Sequence, residues 1–184
     1  MPGPTDLFTQ ADEILQACIA ALDTIPLDDP TLDGAPDRAF ISPSFGPIEC
    51  CPGGGQLTVH VDLTQDAPAA PGLKMGRLQA GKVTHVVFVI SIARCVRDSR
   101  QGTTSALEEP LRAEDQSATS RQTDSDVWAL VNYLYALWQS GDLFTLCGEV
   151  FFEGARPIPQ SGGCAGWTMV VRASLNGYQV IPAS

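Results

Sequence analysis

The chain is short of positive charge: 11 lysines and arginines stand against 21 acids, for a net charge of −10 over 184 residues. Such a surface repels phosphate, so sequence-independent binding of DNA or RNA is disfavoured. Long apolar runs are missing as well. The longest, "VVFVISIA" at 86–93, is strand-sized and well below the ~20 residues of a membrane helix. Histidine is scarce, with only His60 and His85. Both lie in strand-like patterns, where an imidazole packs or faces solvent rather than activating a thiol. No C-x-x-C pair occurs, and the adjacent Cys50 and Cys51 can rarely hold one ion together, so no metal site is expected. The opening "MPGPTDLFTQADE" lacks the basic start and apolar core of an export signal, so synthesis and assembly in a cytoplasm are expected.

Acid is concentrated early. Asp6, Asp12, Glu13, Asp23, Asp28, Asp29, Asp33 and Asp37 precede Arg38, the first base. The plain consequence is solubility; the sharper one is a wall past which nucleic acid slides without sticking. Arg94, Arg97 and Arg100 form the one basic spot. The six cysteines are Cys18, Cys50, Cys51, Cys95, Cys147 and Cys164. Without an export context they read as reduced structural residues, Cys18 and Cys95 as small core hydrophobes. A bridge among Cys50, Cys51, Cys147 and Cys164 is the alternative.

The segment "SGGCAGWTMVVRASL" at 161–175 is the best candidate for chemistry. Glycines around Cys164 could let backbone amides approach a substrate. A strand follows, however, where a helix N-terminus would be needed to lower the thiol pKa. The segment therefore reads as a hairpin turn leading into a strand that starts with Trp167. "CPGGGQL" lacks the Lys and Ser or Thr of a phosphate loop. Glu108, Glu109, Glu114 and Asp115 read as a solvated face. No nucleophile, base and orienting group come together, so neither an enzyme nor a bound cofactor is expected.

Periodicity sets out the elements. Leu7, Ala11, Ile14, Leu15, Cys18, Ala21, Leu22 and Ile25 recur at helical spacing over 4–25, with Asp12, Glu13 and Asp23 outward. Thr5 or Asp6 can cap this helix and Pro26 stops it. Residues 26–55, rich in proline and glycine, read as a long loop or arm. "QLTVHVDL" at 56–63 alternates as a half-buried strand. Residues 65–82 are a second loop, and 83–97 a strand apolar on both faces until Arg94, hence central or set against a neighbouring subunit. A polar loop at 98–121 leads to a helix "SDVWALVNYLYALWQSGD", capped by Asp124 or Ser125 and ended by Gly141. Its core stripe is Val127, Leu130, Val131, Leu134 and Leu137 or Trp138, widened by Trp128 and Tyr135. Strands at 146–158 and 163–175 complete the chain. The expectation is a single α+β domain over 1–184. It would hold one mainly antiparallel sheet of about four strands with two helices packed on it.

The order of motifs resembles a known group. An amphipathic helix precedes "CCPGGGQLTVHV", then "ISIARCVRD", "DVWALVNYLYALW" and "PQSGGCAGWTMVV". This is similar to the small neck proteins encoded between the head and tail genes of long-tailed actinobacterial phages, in which an R-C-V segment and a late G-G-C-x-G element recur. The run of proline that such relatives often carry after Cys95–Val96 is not present here. The element order also resembles the tail terminator, an α+β subunit that assembles as a six-membered ring capping the tail tube. The resemblance implies a structural virion protein of the tail and neck. Its partners would be copies of itself in a hexamer, the tail-tube protein, and the head connector or stopper protein, with DNA passing through the lumen without specific binding. Another head–tail joining protein, a stopper or adaptor, is the nearest alternative; a small cytosolic thiol enzyme using Cys164 or Cys95 is the distant one. On the structural reading, Lys74, Arg77, Lys82, Arg97 and Arg100 are the candidate subunit or tube contacts.

Overall fold

The computed structural model describes residues 7–25, 34–36, 38–42, 55–64, 85–95, 113–144, 147–161 and 164–175. The first helix, α1, runs Leu7–Asp23. Ala11, Ile14, Leu15, Cys18, Ala21 and Leu22 are all at most 5% exposed, as the spacing predicts, and Asp12, Glu13 and Asp23 face outward. Burying each of the larger aliphatics is worth about 1.5–3 kcal/mol. The predicted capping residues Thr5 and Asp6, and Pro26, lie outside the described residues.

Five strands form one sheet: β1 (Arg38–Ser42), β2 (Gln56–Thr64), β3 (His85–Cys95), β4 (Cys147–Ser161) and β5 (Cys164–Leu175). Their order across the sheet is β1-β2-β3-β5-β4. β1 runs parallel to β2, and every other neighbouring pair is antiparallel. The fold is α+β, with one strand more than the sequence suggests. The addition is β1, "RAFIS", inside what reads as the 26–55 loop. Five residues between prolines are too few for alternation to stand out, and a parallel partner gives no hairpin signal.

β3 is the middle strand. On one face Val86, Phe88, Ile90 and Ile92 join the core with Leu57 and Val59 of β2 and Met169, Val171 and Ala173 of β5. On the other face Val87, Ser91 and Ala93 are buried too. That two-sided burial is the reason its apolar run is nearly continuous. β4 carries a bulge at Glu153–Gly154: Phe152 pairs with Val171 while Gly154 pairs with Val170. One inserted residue reverses the alternation. Val150 and Phe152 point to the core before it, and Ala155 packs against the core after it. Gly154 takes φ +97, open to glycine without strain.

The second helix, α2, spans Ala113–Ser140. The expected 98–121 loop therefore ends earlier, since residues 113–121 are helical. Asp124 and Ser125 lie inside the helix and cannot be its N-caps. The reason is chemical. Thr119, Gln122, Thr123 and Asp126 are buried at helical spacing, and Leu130 and Leu134 continue their line. One buried stripe is polar in its first half and apolar in its second, so a search for apolar periodicity finds only the second. At the other end Gly141 (φ +78) terminates the helix as expected. Its N–H donates to Trp138 O, and the Asp142 N–H to Leu137 O, the paired bonds of a left-handed glycine cap.

Gly166 marks a close approach between strands. A Cβ there would lie 1.9 Å from the Ile92 carbonyl oxygen and 2.8 Å from Ala93 Cα, both backbone atoms of the central strand. Neither can move without shifting β3. Gly166→Ala should therefore destabilise the fold by about 2 kcal/mol or more, the usual scale of overpacking, measured as a lowered urea midpoint. A midpoint equal to wild type would show that β3 and β5 are less tightly apposed.

Candidate subunit-contact surface and the buried ion pair behind it

Arg94 follows Ile92 by two residues, so it points to the helix-bearing face of β3. There it meets Asp126 of α2 in a two-pronged ion pair. Arg94 Nε donates to Oδ2 at 2.9 Å and Nη2 to Oδ1 at 2.8 Å. The side chains are 4% and 0% exposed. Gln122 Nε2 donates to the same Oδ1 at 2.9 Å. Arg94 Nη2 also donates to the Gly34 carbonyl at 2.7 Å, and the N–H of that same peptide group, on Ala35, reaches Asp23 Oδ1 at 3.4 Å. One peptide unit just before β1 is thus held from β3 on its oxygen and from α1 on its nitrogen.

Arg94 is therefore not part of a surface basic spot with Arg97 and Arg100, as its position in sequence suggests. Arg97 and Arg100 lie outside the described residues, and so do Lys74, Arg77 and Lys82. The five candidate contacts are not brought together by any described element. The predicted widening of the core stripe by Trp128 and Tyr135 is also corrected: they are 64% and 44% exposed. They stand seven residues apart, two turns along one face of α2. Phe8 at 67%, Phe151 at 52% and Phe40 at 37% complete the exposed large apolar side chains among the described residues.

Of these exposed rings, Tyr135 is tied to the core by ring contacts. Phe88 meets Phe144 at 5.8 Å, Phe144 meets Phe152 at 6.3 Å, and Phe152 meets Trp138 at 5.9 Å and Tyr135 at 6.0 Å. Tyr135 and Trp138 are themselves 5.3 Å apart. These are tilted or edge-on pairs, the arrangement ring quadrupoles favour. Phe144 takes φ +61, unusual for a bulky residue. Its ring is 2% exposed between Phe88 and Phe152, and its carbonyl accepts from Cys147 N at 2.9 Å. Buried contact on both sides outweighs the roughly 1–3 kcal/mol that such a conformation costs. A neutral core of rings thus holds Tyr135 rigidly at the surface.

The cysteines divide. Cys18, Cys95 and Cys147 are thiols. Cys164 is disulfide-bonded, against the expectation of a reduced set; its partner sulfur lies outside the described residues, where Cys50 and Cys51 stand. A bonded sulfur is no nucleophile, and β5 starts at Cys164 as the turn-and-strand reading expects. Cys18 is fully buried, which pushes its thiol pKa far up. Burial pushes Cys147 up to about 11; its Sγ donates to Gln10 Oε1 at 3.7 Å. Among the described residues no three His, Cys, Asp or Glu side chains gather as a metal site, and no helix is long and apolar enough to cross a membrane.

Two measurements follow from these groups. Asp126→Ala strands the Arg94 guanidinium in a dry interior and should cost about 3–5 kcal/mol. Arg94→Met combined with Asp126→Leu should recover much of that loss in the same urea titration. A double variant as unstable as the single one would show that the pair contributes more than charge compensation. For Cys147 the folded thiol holds its proton above the ordinary 9.0. Its contribution to stability is therefore complete below pH 9 and declines as pH rises toward about 11. Cys147→Ala should flatten the alkaline limb of the stability curve; an unchanged limb would assign it to other groups.

No protein-family model matches the chain, and no curated protein is significantly similar to it.

Proposed function

We propose that this chain is a structural subunit of the phage neck, a tail terminator whose copies close into a six-membered ring on the tail tube and dock it to the head connector. The observation that carries this reading is the exposed aromatic surface. Trp128 and Tyr135, on one face of α2, are 64% and 44% exposed, and Tyr135 is anchored by the Trp138 and Phe152 rings. Aromatic side chains presented rigidly at a surface are the commonest anchors of protein–protein contacts. The α+β architecture, two helices and one sheet, is the kind expected of the terminator, though fold alone does not fix function. Net charge supports it further: −10 on each subunit, repeated around a closed ring, lines a conduit from which DNA is repelled rather than held. Function then resides in geometry. The ring ends tube growth and offers a second face to the head side, with no bond made or broken.

Native mass spectrometry of the chain, alone and mixed with the tail-tube protein, tests this. Hexamers, or a monomer that joins rings only at tube ends, are the expected result; a monomer indifferent to tubes overturns the reading. Trp128→Ser, at an exposed position, should leave the unfolding free energy from urea titration within about 0.5 kcal/mol of wild type. It should lower the assembled fraction at a fixed concentration at least about tenfold, as loss of an interface anchor does. Undiminished assembly would place the contact elsewhere.

A further inference from the structure

Cys95 is the last residue of β3 and Cys164 the first of β5, and the antiparallel register sets them directly opposite. They pack together with Ala93 in a small cluster of their own, on the face of the sheet away from the helices. Cys95 carries a thiol, and Cys164 is already bonded to another sulfur. A thiol and a disulfide-bonded sulfur are therefore paired across this end of the sheet. Directly opposed residues in an antiparallel pair have Cα atoms about 4.5–5.5 Å apart. That falls within the roughly 4.4–6.8 Å that a disulfide spans. The backbone is thus already suited to a second bond.

We propose that Cys95 and Cys164 form a thiol–disulfide exchange site, giving the chain two covalent isomers of one fold. The Cys95 thiol releases its proton to solvent, and the thiolate attacks Cys164 Sγ. The Cys95–Cys164 bond forms as the existing bond breaks, and the displaced sulfur leaves as a thiolate and takes up a proton. One thiol and one disulfide stand on each side, so no oxidant is consumed. Burial favours this partner over others. Cys164 is 8% exposed, which hinders an external thiol, while a neighbour held across the strand needs no approach path. Cys95 is half-buried and so stays within reach of a small thiol or disulfide from solution. The exchange moves the covalent tie from a link outside the described sheet to one within it, between strands already hydrogen-bonded. It does not depend on the assembly reading, since it needs only one subunit.

The test is peptide mapping without reduction. The purified chain is held at pH 8 in buffers of reduced and oxidised glutathione, quenched with acid, alkylated with N-ethylmaleimide, digested and analysed by mass spectrometry. The expected result is a Cys95–Cys164 linked peptide that grows with time, with an equal loss of N-ethylmaleimide labelling at Cys95. Cys95→Ser should abolish that peptide while leaving the circular dichroism spectrum and the original Cys164 bridge in place. Full labelling of Cys95 at every time point, with Cys164 held in its first bridge, overturns the proposal. So does complete alkylation of Cys164 in the protein as isolated.

Discussion

The buried Arg94–Asp126 pair is the constraint on which the arrangement of elements depends. A guanidinium and a carboxylate removed from water are tolerated only when each hydrogen-bonding site finds a partner. Here the partners come from four places: β3 supplies the cation, α2 the carboxylate and Gln122, the segment before β1 a carbonyl, and α1 holds that segment from its other side. Slide α2 by one turn and Asp126 leaves Arg94 unpaired. Move residues 34–36 and the third acceptor is lost. An apolar contact at the same place would tolerate either shift with a smaller loss, because hydrophobic attraction has no direction. The polar pair therefore acts on register and position more than on net stability.

That pair also accounts for the shape of α2. Its first half has almost no apolar residues to bury and would be a poor helix in isolation. It folds because its inward stripe is Thr119, Gln122, Thr123 and Asp126, each suited to a polar site. Thr123 Oγ1 returns to the Thr119 carbonyl at 3.1 Å, meeting its own hydrogen-bond need within the helix. The second half changes to Leu130 and Leu134 and joins the aliphatic core with α1 and the sheet. One helix thus belongs to two environments, and the outward Trp128 sits near the junction between them.

What could be read in advance follows from this division. Where burial is apolar, the pattern is legible: the α1 stripe, the two-faced strand β3 and the Gly141 stop stand as expected, whereas β2 is buried at Gln56 and Thr58 as well as at Leu57 and Val59 and is not the half-buried strand its alternation suggests. Where burial is polar, periodicity in hydrophobicity is silent, which is why the start of α2 and the role of Arg94 were not visible. β1 was hidden by length and by its parallel partner. The chemistry of Trp128 and Tyr135 suits a core, and only the rotation of α2 against the sheet reveals that they face outward. Among the candidate contacts the legible signal was positive charge, and those residues lie outside the described elements. The aromatic surface had no comparable signal in sequence, since an exposed Trp and a buried one are written alike.

In the assembly proposed above, the terminal strands limit how copies of the chain can associate. A flat strand at a sheet's end invites another chain to pair with its backbone. β1 offers only five residues, starting with Arg38, whose guanidinium lies 5.9 Å from the Phe40 ring. β4 is long, but its course is interrupted by register shifts near Cys147, Glu153 and Ile158. Ser174 Oγ accepts from the Glu149 N–H at 2.7 Å where the first shift breaks the ladder, and Arg172 Nε donates to Glu153 Oε1 at 2.6 Å beside the second. Pro157 and Pro159 remove two backbone donors further along. Bulges, charge and proline on one strand are the means by which strand addition is discouraged. Extension of the sheet from copy to copy is thus the less favoured route. In the proposed assembly the α2 face of Trp128 and Tyr135 is the better one, because side-chain contacts fix both the angle and the partner where strand pairing would leave register open.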